Sequence, residues 1–260
     1  MKNSSASAKS RGVVLFAYNT DTVDYVKIAN IASNLIKHTL GLPVTVISDS
    51  TTSNTLVNRR TGYANGTAWR NGNRYLAYEL SPYNETLLLD SDYLQLDTSL
   101  LKLFDVTADY RIVRDNRFIN SSHSELMGPI SIPFVWATAV VFKKTAKTQQ
   151  LFELVGRIQR NYSYYRQLYH ITAPNFRNDY AFAIADNIIN GYTINPQHAV
   201  PGTMLTVDNP VKNIELKNNK LIVRQDKSAH VLPKQNIHIM DKDYLLSDDF
   251  ENFVNTVCQE

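Results

Sequence analysis

Asp90 and Asp92 stand one residue apart at the end of an apolar run, in the stretch Thr86-Leu87-Leu88-Leu89-Asp90-Ser91-Asp92-Tyr93-Leu94. A short run of this kind reads as a buried strand, and in extended chain residues i and i+2 project from one face. The two carboxylates can therefore reach one point just beyond the strand end. Hard oxygen ligands in that place suit Mg²⁺ or Mn²⁺, which keep several waters and bind through one or two carboxylates plus substrate phosphates. The same residues also suit a strand leading into a polar turn, where Asp and Ser are frequent. Arg70 and Arg74, in Trp69-Arg70-Asn71-Gly72-Asn73-Arg74, are the best second source of positive charge. Guanidinium forks match phosphate oxygens, and the spacing suits one face of a helix. Plain solvated arginines are the alternative.

Such groups need a frame. Residues 13–17 read as a first buried strand, followed by Tyr18 and Asn19 and then a helix in which Ile28, Ala32, Leu35, Ile36 and Leu40 recur at helical spacing. Thr20 or Asp21 can cap its start, and Gly41 with Pro43 marks its end. Residues 44–48 form the next strand, ending at Asp49. A strand–helix–strand unit predicts a parallel pair, whose ligands sit beyond the carboxyl ends of the strands. Tyr18, Asn19, Asp49, Asp90 and Asp92 all fall there. Residues 51–73 are polar and read as a loop over that edge, with a short helix over 74–80 leading into the Asp-bearing strand. Further along come a helical turn at 100–104, a strand at 133–142 and one long amphipathic helix from 149 to about 170. A helix follows Asn178, a turn falls at Asn218-Asn219, a strand covers 221–223, and a terminal helix after Ser247 carries Phe250, Phe253, Val254 and Val257.

The totals narrow the classes. At 260 residues, 43% hydrophobic and 20% charged, the chain has material for a sizeable core. Its net charge of +3 is too mild to establish a polyanion partner. The single cysteine, Cys258, excludes an internal disulfide framework and a multi-cysteine zinc site, which fits a reducing, cytoplasmic compartment. No apolar run is long enough for a membrane helix. Residues 1–11, rich in Ser and Lys without an apolar signal core, read as a disordered leader, and 12–260 as a single α/β domain.

An apolar strand closed by Asp-Ser-Asp, preceded by the 69–74 segment and followed by Asn178-Asp179-Tyr180, resembles the metal-binding motif of nucleotide-sugar glycosyltransferases of the GT-A fold. The pattern over roughly residues 12–245 is similar to glycosyltransferases of tailed bacteriophages. The resemblance implies a mainly parallel, Rossmann-like mixed sheet flanked by helices, a nucleotide sugar donor of the uridine diphosphate kind, and a Mn²⁺ or Mg²⁺ cofactor. It implies that Asp90 and Asp92 hold the metal with Ser91 beside the donor, and it favours Arg74 over Arg70. His238 resembles the C-terminal metal-binding His of related retaining enzymes, and Lys242 would then meet the diphosphate, although the fuller His-x-x-Gly-x-x-Lys pattern is absent here. Asp179, in the first turn of a helix capped by Asn178 or Asn175, resembles the acidic residue on the acceptor side. It would act as base in an inverting reaction, or as a stabilising charge in a retaining one.

Trp136 and Thr138 could shape the sugar or acceptor pocket, although core packing is the commoner role of such a Trp. Between Lys143 and His170 basic residues outnumber acids, and Tyr162, Tyr164, Tyr165 and Tyr169 are interleaved. Basic groups with aromatics suit a nucleic-acid surface, and with the phage-like resemblance they suggest a hydroxymethylated base in DNA as acceptor, contacted by Arg160 and Arg166. A glycan or protein acceptor remains the alternative, with core tyrosines and solvated charges. Of the rival activities, a nucleotidyltransferase needs a Gly-rich loop after the first strand, where this chain has Tyr18-Asn19-Thr20-Asp21. A non-catalytic binding protein on the same fold is the other rival.

Overall fold

A computed structural model describes residues 10–59, 68–120, 127, 132–208 and 210–259. Strands alternate with helices along the chain, and eight strands share one sheet. From one edge these are Val44–Ser48 (β2), Arg11–Ala17 (β1), Glu85–Leu89 (β5), Trp136–Lys143 (β8), Tyr110–Phe118 (β7), Ala199–Val207 (β9), Ile237–Ile239 (β13) and Tyr93–Leu94 (β6). β8 and β6 run against the other six. Val57–Arg59 (β3) and Ala68–Arg70 (β4) pair separately, inside a stretch that the polar composition presented as loop. Between β9 and β13 the chain leaves the main sheet for a three-stranded one made of Val211–Lys217 (β10), Lys220–Gln225 (β11) and Ala229–Pro233 (β12). Asn218 and Asn219, both at positive φ, make the β10–β11 turn.

The helices are Tyr25–Leu40 (α1), Ala77–Leu80 (α2), Ala146–Arg160 (α3), Tyr162–Leu168 (α4), Asn178–Ile189 (α5), Lys242–Leu245 (α6) and Asp248–Val257 (α7). None among the described residues is long and apolar enough to cross a membrane. The result is the expected mixed α/β architecture, a mostly parallel central sheet flanked by helices. β5 is buried throughout, as its uninterrupted apolar run requires. α1 contributes to both cores: Ala29 and Ile36 belong to the one that includes β1, while Ile28 and Leu35 belong to the one that includes α7.

Several boundaries differ from the sequence reading, each for a local reason. Arg11 is not leader but the first residue of β1, where it pairs with Glu85 at 2.8 Å; residues 1–9 lie outside the described residues. Asp24, not Thr20 or Asp21, caps α1, accepting from Lys27 N at 2.9 Å. The expected single helix over 149–170 breaks at Asn161, whose amide turns back onto the Arg157 carbonyl, the local competition that makes Asn a poor helix interior residue. α5 is capped neither by Asn178 nor by Asn175, because the extended residue before it is Arg177 and no side chain caps it. The charged pattern of β7 hides a strand that is nevertheless paired on both sides.

Candidate active site at the carboxyl edge of the sheet

The ends of β1 and β5, with the start of the antiparallel β8, border a cavity of about 420 Å³. Asp90 follows β5 directly. Its N–H donates to Thr138 O at 2.8 Å, which continues the β5–β8 ladder, and its Oδ1 accepts from Arg74 Nη1. Arg74 opens a 3₁₀ turn, Arg74–Leu76, and is buried, with Nε and Nη2 making no hydrogen bond. Asp92 is buried deeper, at 9% exposure, and its Oδ2 accepts from Lys242 Nζ. Its Oδ1 makes no hydrogen bond and lies 3.4 Å from His238 Nε2. Burial alone would raise this carboxyl, but the Lys242 ammonium foremost, and His238 after it, outweigh burial and hold Asp92 below the ordinary carboxylate range.

His238 reaches the cluster because β13 lies between β9 and β6, where it pairs with Tyr93, the residue after Asp92. Thr206 Oγ1 donates to Asn116 Oδ1 at 2.8 Å, and so it accepts the proton of His238 Nδ1, 3.3 Å away. With Nδ1 so engaged, Nε2 is the ring nitrogen that faces Asp92, and the Thr206 contact is the outer support that metal-ligating imidazoles commonly have. Ligand atoms of Asp90, Asp92 and His238 lie within 4.8 Å of one another. A buried carboxylate oxygen without a hydrogen bond, 3.4 Å from an imidazole nitrogen, leaves a place for a cation. Two oxygens and one nitrogen suit Mn²⁺.

Around this centre, Ser91 and Tyr18 line the cavity. Burial pushes the Tyr18 hydroxyl up to about 12. Asn19 and Asp49 stand behind the wall: Asp49 Oδ2 accepts from Asn19 N at 3.1 Å, and Asn19 Oδ1 accepts from Val26 N at 2.9 Å, which anchors the start of α1. Arg70 and Arg74 do not share a helix face. Arg70 projects from β4 and pairs with Asp49 at 2.9 Å, so the two guanidiniums enter the cavity from different elements.

Trp136, Thr138 and Asp179 also line the cavity. Asp179 Oδ1 accepts from Ala137 N at 2.8 Å, and Oδ2 accepts from Arg177 Nε at 3.0 Å. The Arg177 guanidinium lies over the rings of Phe134, Tyr180 and Trp136, at 5.1, 5.3 and 5.8 Å. Arg160 and Arg166 are placed outside this cavity. Arg160 lies over the Tyr75 ring beside a separate pocket, and Arg166 donates to the carbonyls of Ile171 and Thr172.

Two residues of the site escaped the sequence reading. Tyr25, the first residue of α1, lines the cavity, and its hydroxyl is pushed upward by burial and then by the charges of Asp92 and Asp90. Its place immediately after a strand–turn was the available signal. Arg177 carried no sequence signal, since two of the three rings it lies over, Phe134 and Trp136, come from a distant segment.

The fold and the cluster together are consistent with a GT-A type architecture. No family model matches the chain, and no curated protein matches it. Among solved structures it is similar to the glycosyltransferase GlyE of Streptococcus pneumoniae TIGR4. With the apo form the identity is 11% and the TM-score 0.40, over 75% of this chain and 45% of that one. A second GlyE structure gives 10% identity and a TM-score of 0.39, over 76% and 45%. The match therefore spans less than half the length of GlyE.

Proposed function

We propose that the chain is a metal-dependent glycosyltransferase that moves a sugar from a nucleoside diphosphate sugar, of the uridine kind, to an acceptor hydroxyl. One observation carries this reading. Asp90 and Asp92 meet His238 and Lys242, the last of them 150 residues from Asp92, in one cavity at the carboxyl edge of the sheet. A divalent ion on Asp90, Asp92 and His238 would supply Lewis-acid neutralisation of the departing diphosphate. Arg74, with Nε and Nη2 unpaired, is placed to bind phosphate oxygens from the other side. Tyr18 and the Arg70–Asp49 pair border the region left for base and ribose, and Asp179 faces it from the acceptor wall.

The acceptor favoured by these contacts is a glycan or protein hydroxyl rather than DNA. Much of the basic stripe that suggests DNA is engaged within the chain: Lys143, Lys144 and Arg166 donate to backbone carbonyls, and Lys147 approaches His198. Tyr162 is likewise internal, donating to Ala173 O and stacking with Tyr180.

A thermal-shift panel of nucleotide sugars with and without Mn²⁺ tests the function. Binding at a hundredfold excess over Kd adds about 2.7 kcal/mol of stability, so a matching donor is expected to raise Tm by several degrees with Mn²⁺ and by much less without it. Asp92→Asn should fold and lose the metal-dependent part. Unchanged Mn²⁺-dependent binding in folded Asp92→Asn protein would sink the metal-dependent reading.

A further inference from the structure

The two oxygens of Asp92 are served differently. Oδ1 faces His238, an imidazole fixed in a strand by its contact with Thr206. Oδ2 accepts from Lys242, whose ammonium also donates to Ile239 O at 3.3 Å. The backbone around Lys242 is firmly held: Asp241 Oδ1 accepts from Asp243 N and Tyr244 N, and its Oδ2 accepts from Val211 N at 2.7 Å. The side chain beyond is a compact charge on a flexible four-carbon stem, which can swing by rotamer change alone. Lys242 therefore sits on the carboxylate a divalent ion would need, beside a cavity sized for a ligand carrying phosphates.

We propose that Lys242 is a resident counter-cation: it occupies Asp92 while no donor is bound, and turns its ammonium to the diphosphate when a divalent ion and nucleotide arrive together. This rests on the glycosyl-transfer reading above. A divalent ion arriving alone at Oδ1 meets the ammonium held on Oδ2 of the same carboxylate, two like charges close together in a buried place, which is unfavourable. A nucleoside diphosphate brings the oxygens that accept the displaced ammonium. Metal and nucleotide then strengthen each other's binding, and by linkage the effect is reciprocal.

Mn²⁺ binding to the full chain, followed by the electron paramagnetic resonance of free Mn²⁺, tests this without any turnover. Wild type is compared with Lys242→Met, first with Mn²⁺ alone and then with UDP. Removing the internal competitor should tighten binding of Mn²⁺ alone by about tenfold or more, and UDP should tighten Mn²⁺ binding by a similar factor in wild type but much less in the variant. If Lys242→Met does not fold, Lys242→Gln, whose amide can still donate to Asp92, is measured in its place. Wild type that binds Mn²⁺ with UDP, beside a variant that binds Mn²⁺ alone no more tightly than wild type, overturns this proposal and leaves the metal reading standing. No Mn²⁺ binding by either protein, with or without UDP, overturns both.

Discussion

Asp179 accepts hydrogen bonds on both oxygens, from the Ala137 N–H and from Arg177, which fix its carboxylate at the cavity wall. A carboxylate held in this way acts as a fixed negative charge at the cavity wall, the arrangement that stabilises charge developing in a transition state. On the proposed function, Asp179→Asn should keep nucleotide affinity while transfer falls by about a hundredfold or more. Parallel measurements of UDP-sugar binding and single-turnover transfer check this; a change of only a few fold would return Asp179 to bracing β8 against α5. Asp90 and Asp92 were legible as two carboxylates closing an apolar run, but a turn and not the expected extended strand brings them together: β5 ends at Leu89, and Tyr93 N donates to Asp90 O at 3.1 Å. His238 and Lys242 could be named only through a resemblance, since a lone imidazole in an apolar strand has no signature until topology sets it beside a carboxylate. Arg70 was misplaced for a related reason: spacing alone cannot distinguish a helix from a short strand followed by a turn.

Elements show a similar division. Strands with continuous apolar runs, β1, β2 and β5, were readable, and so was α7, where Ser247 accepts from Phe250 N. β7 was not, because Arg111, Arg114, Asp115 and Arg117 break its apolar pattern. Tertiary contacts supply what the pattern lacks, as when Arg114 pairs with buried Asp186 at 2.6 Å. β1 depends on a contact of another sort. Gly12 lies flat against the ring of Tyr83, where a Cβ would meet ring atoms at 2.4 Å, and Tyr83 is itself tied to Thr45 of β2 by a 2.9 Å hydrogen bond. The ring cannot retreat without disturbing that bond. Gly12→Ala should therefore cost about 1–3 kcal/mol, the usual range for overpacking, read as a lower urea midpoint with an unchanged slope. A neutral result would show that the ring has room to move.

Across the whole molecule, two buried carboxylates set the acid limit. For Asp92 and Asp186 alike, burial pushes the pKa upward and is outweighed, in Asp92 by Lys242 and His238, and in Asp186 by His198, Arg114 and Tyr110, so both lie below the ordinary 3.8. A carboxyl lowered by folding contributes stability that is complete above its unfolded value and is lost as pH falls through the folded one. These two groups should therefore cause no loss between about pH 8 and pH 4 and a progressive loss below that. Urea unfolding at stepped pH checks this; a decline that begins well above pH 4 would overturn it. The pairing of β6 with β13 has a consequence for biosynthesis. Tyr93 emerges from the ribosome long before His238, and closing so long a loop is entropically unfavourable until the late contacts form. A nascent chain halted before Ile237 carries the carboxylates without the imidazole or the ammonium. It is half a cluster, and on the proposed function catalytic competence waits for the segment that carries β13 and α6.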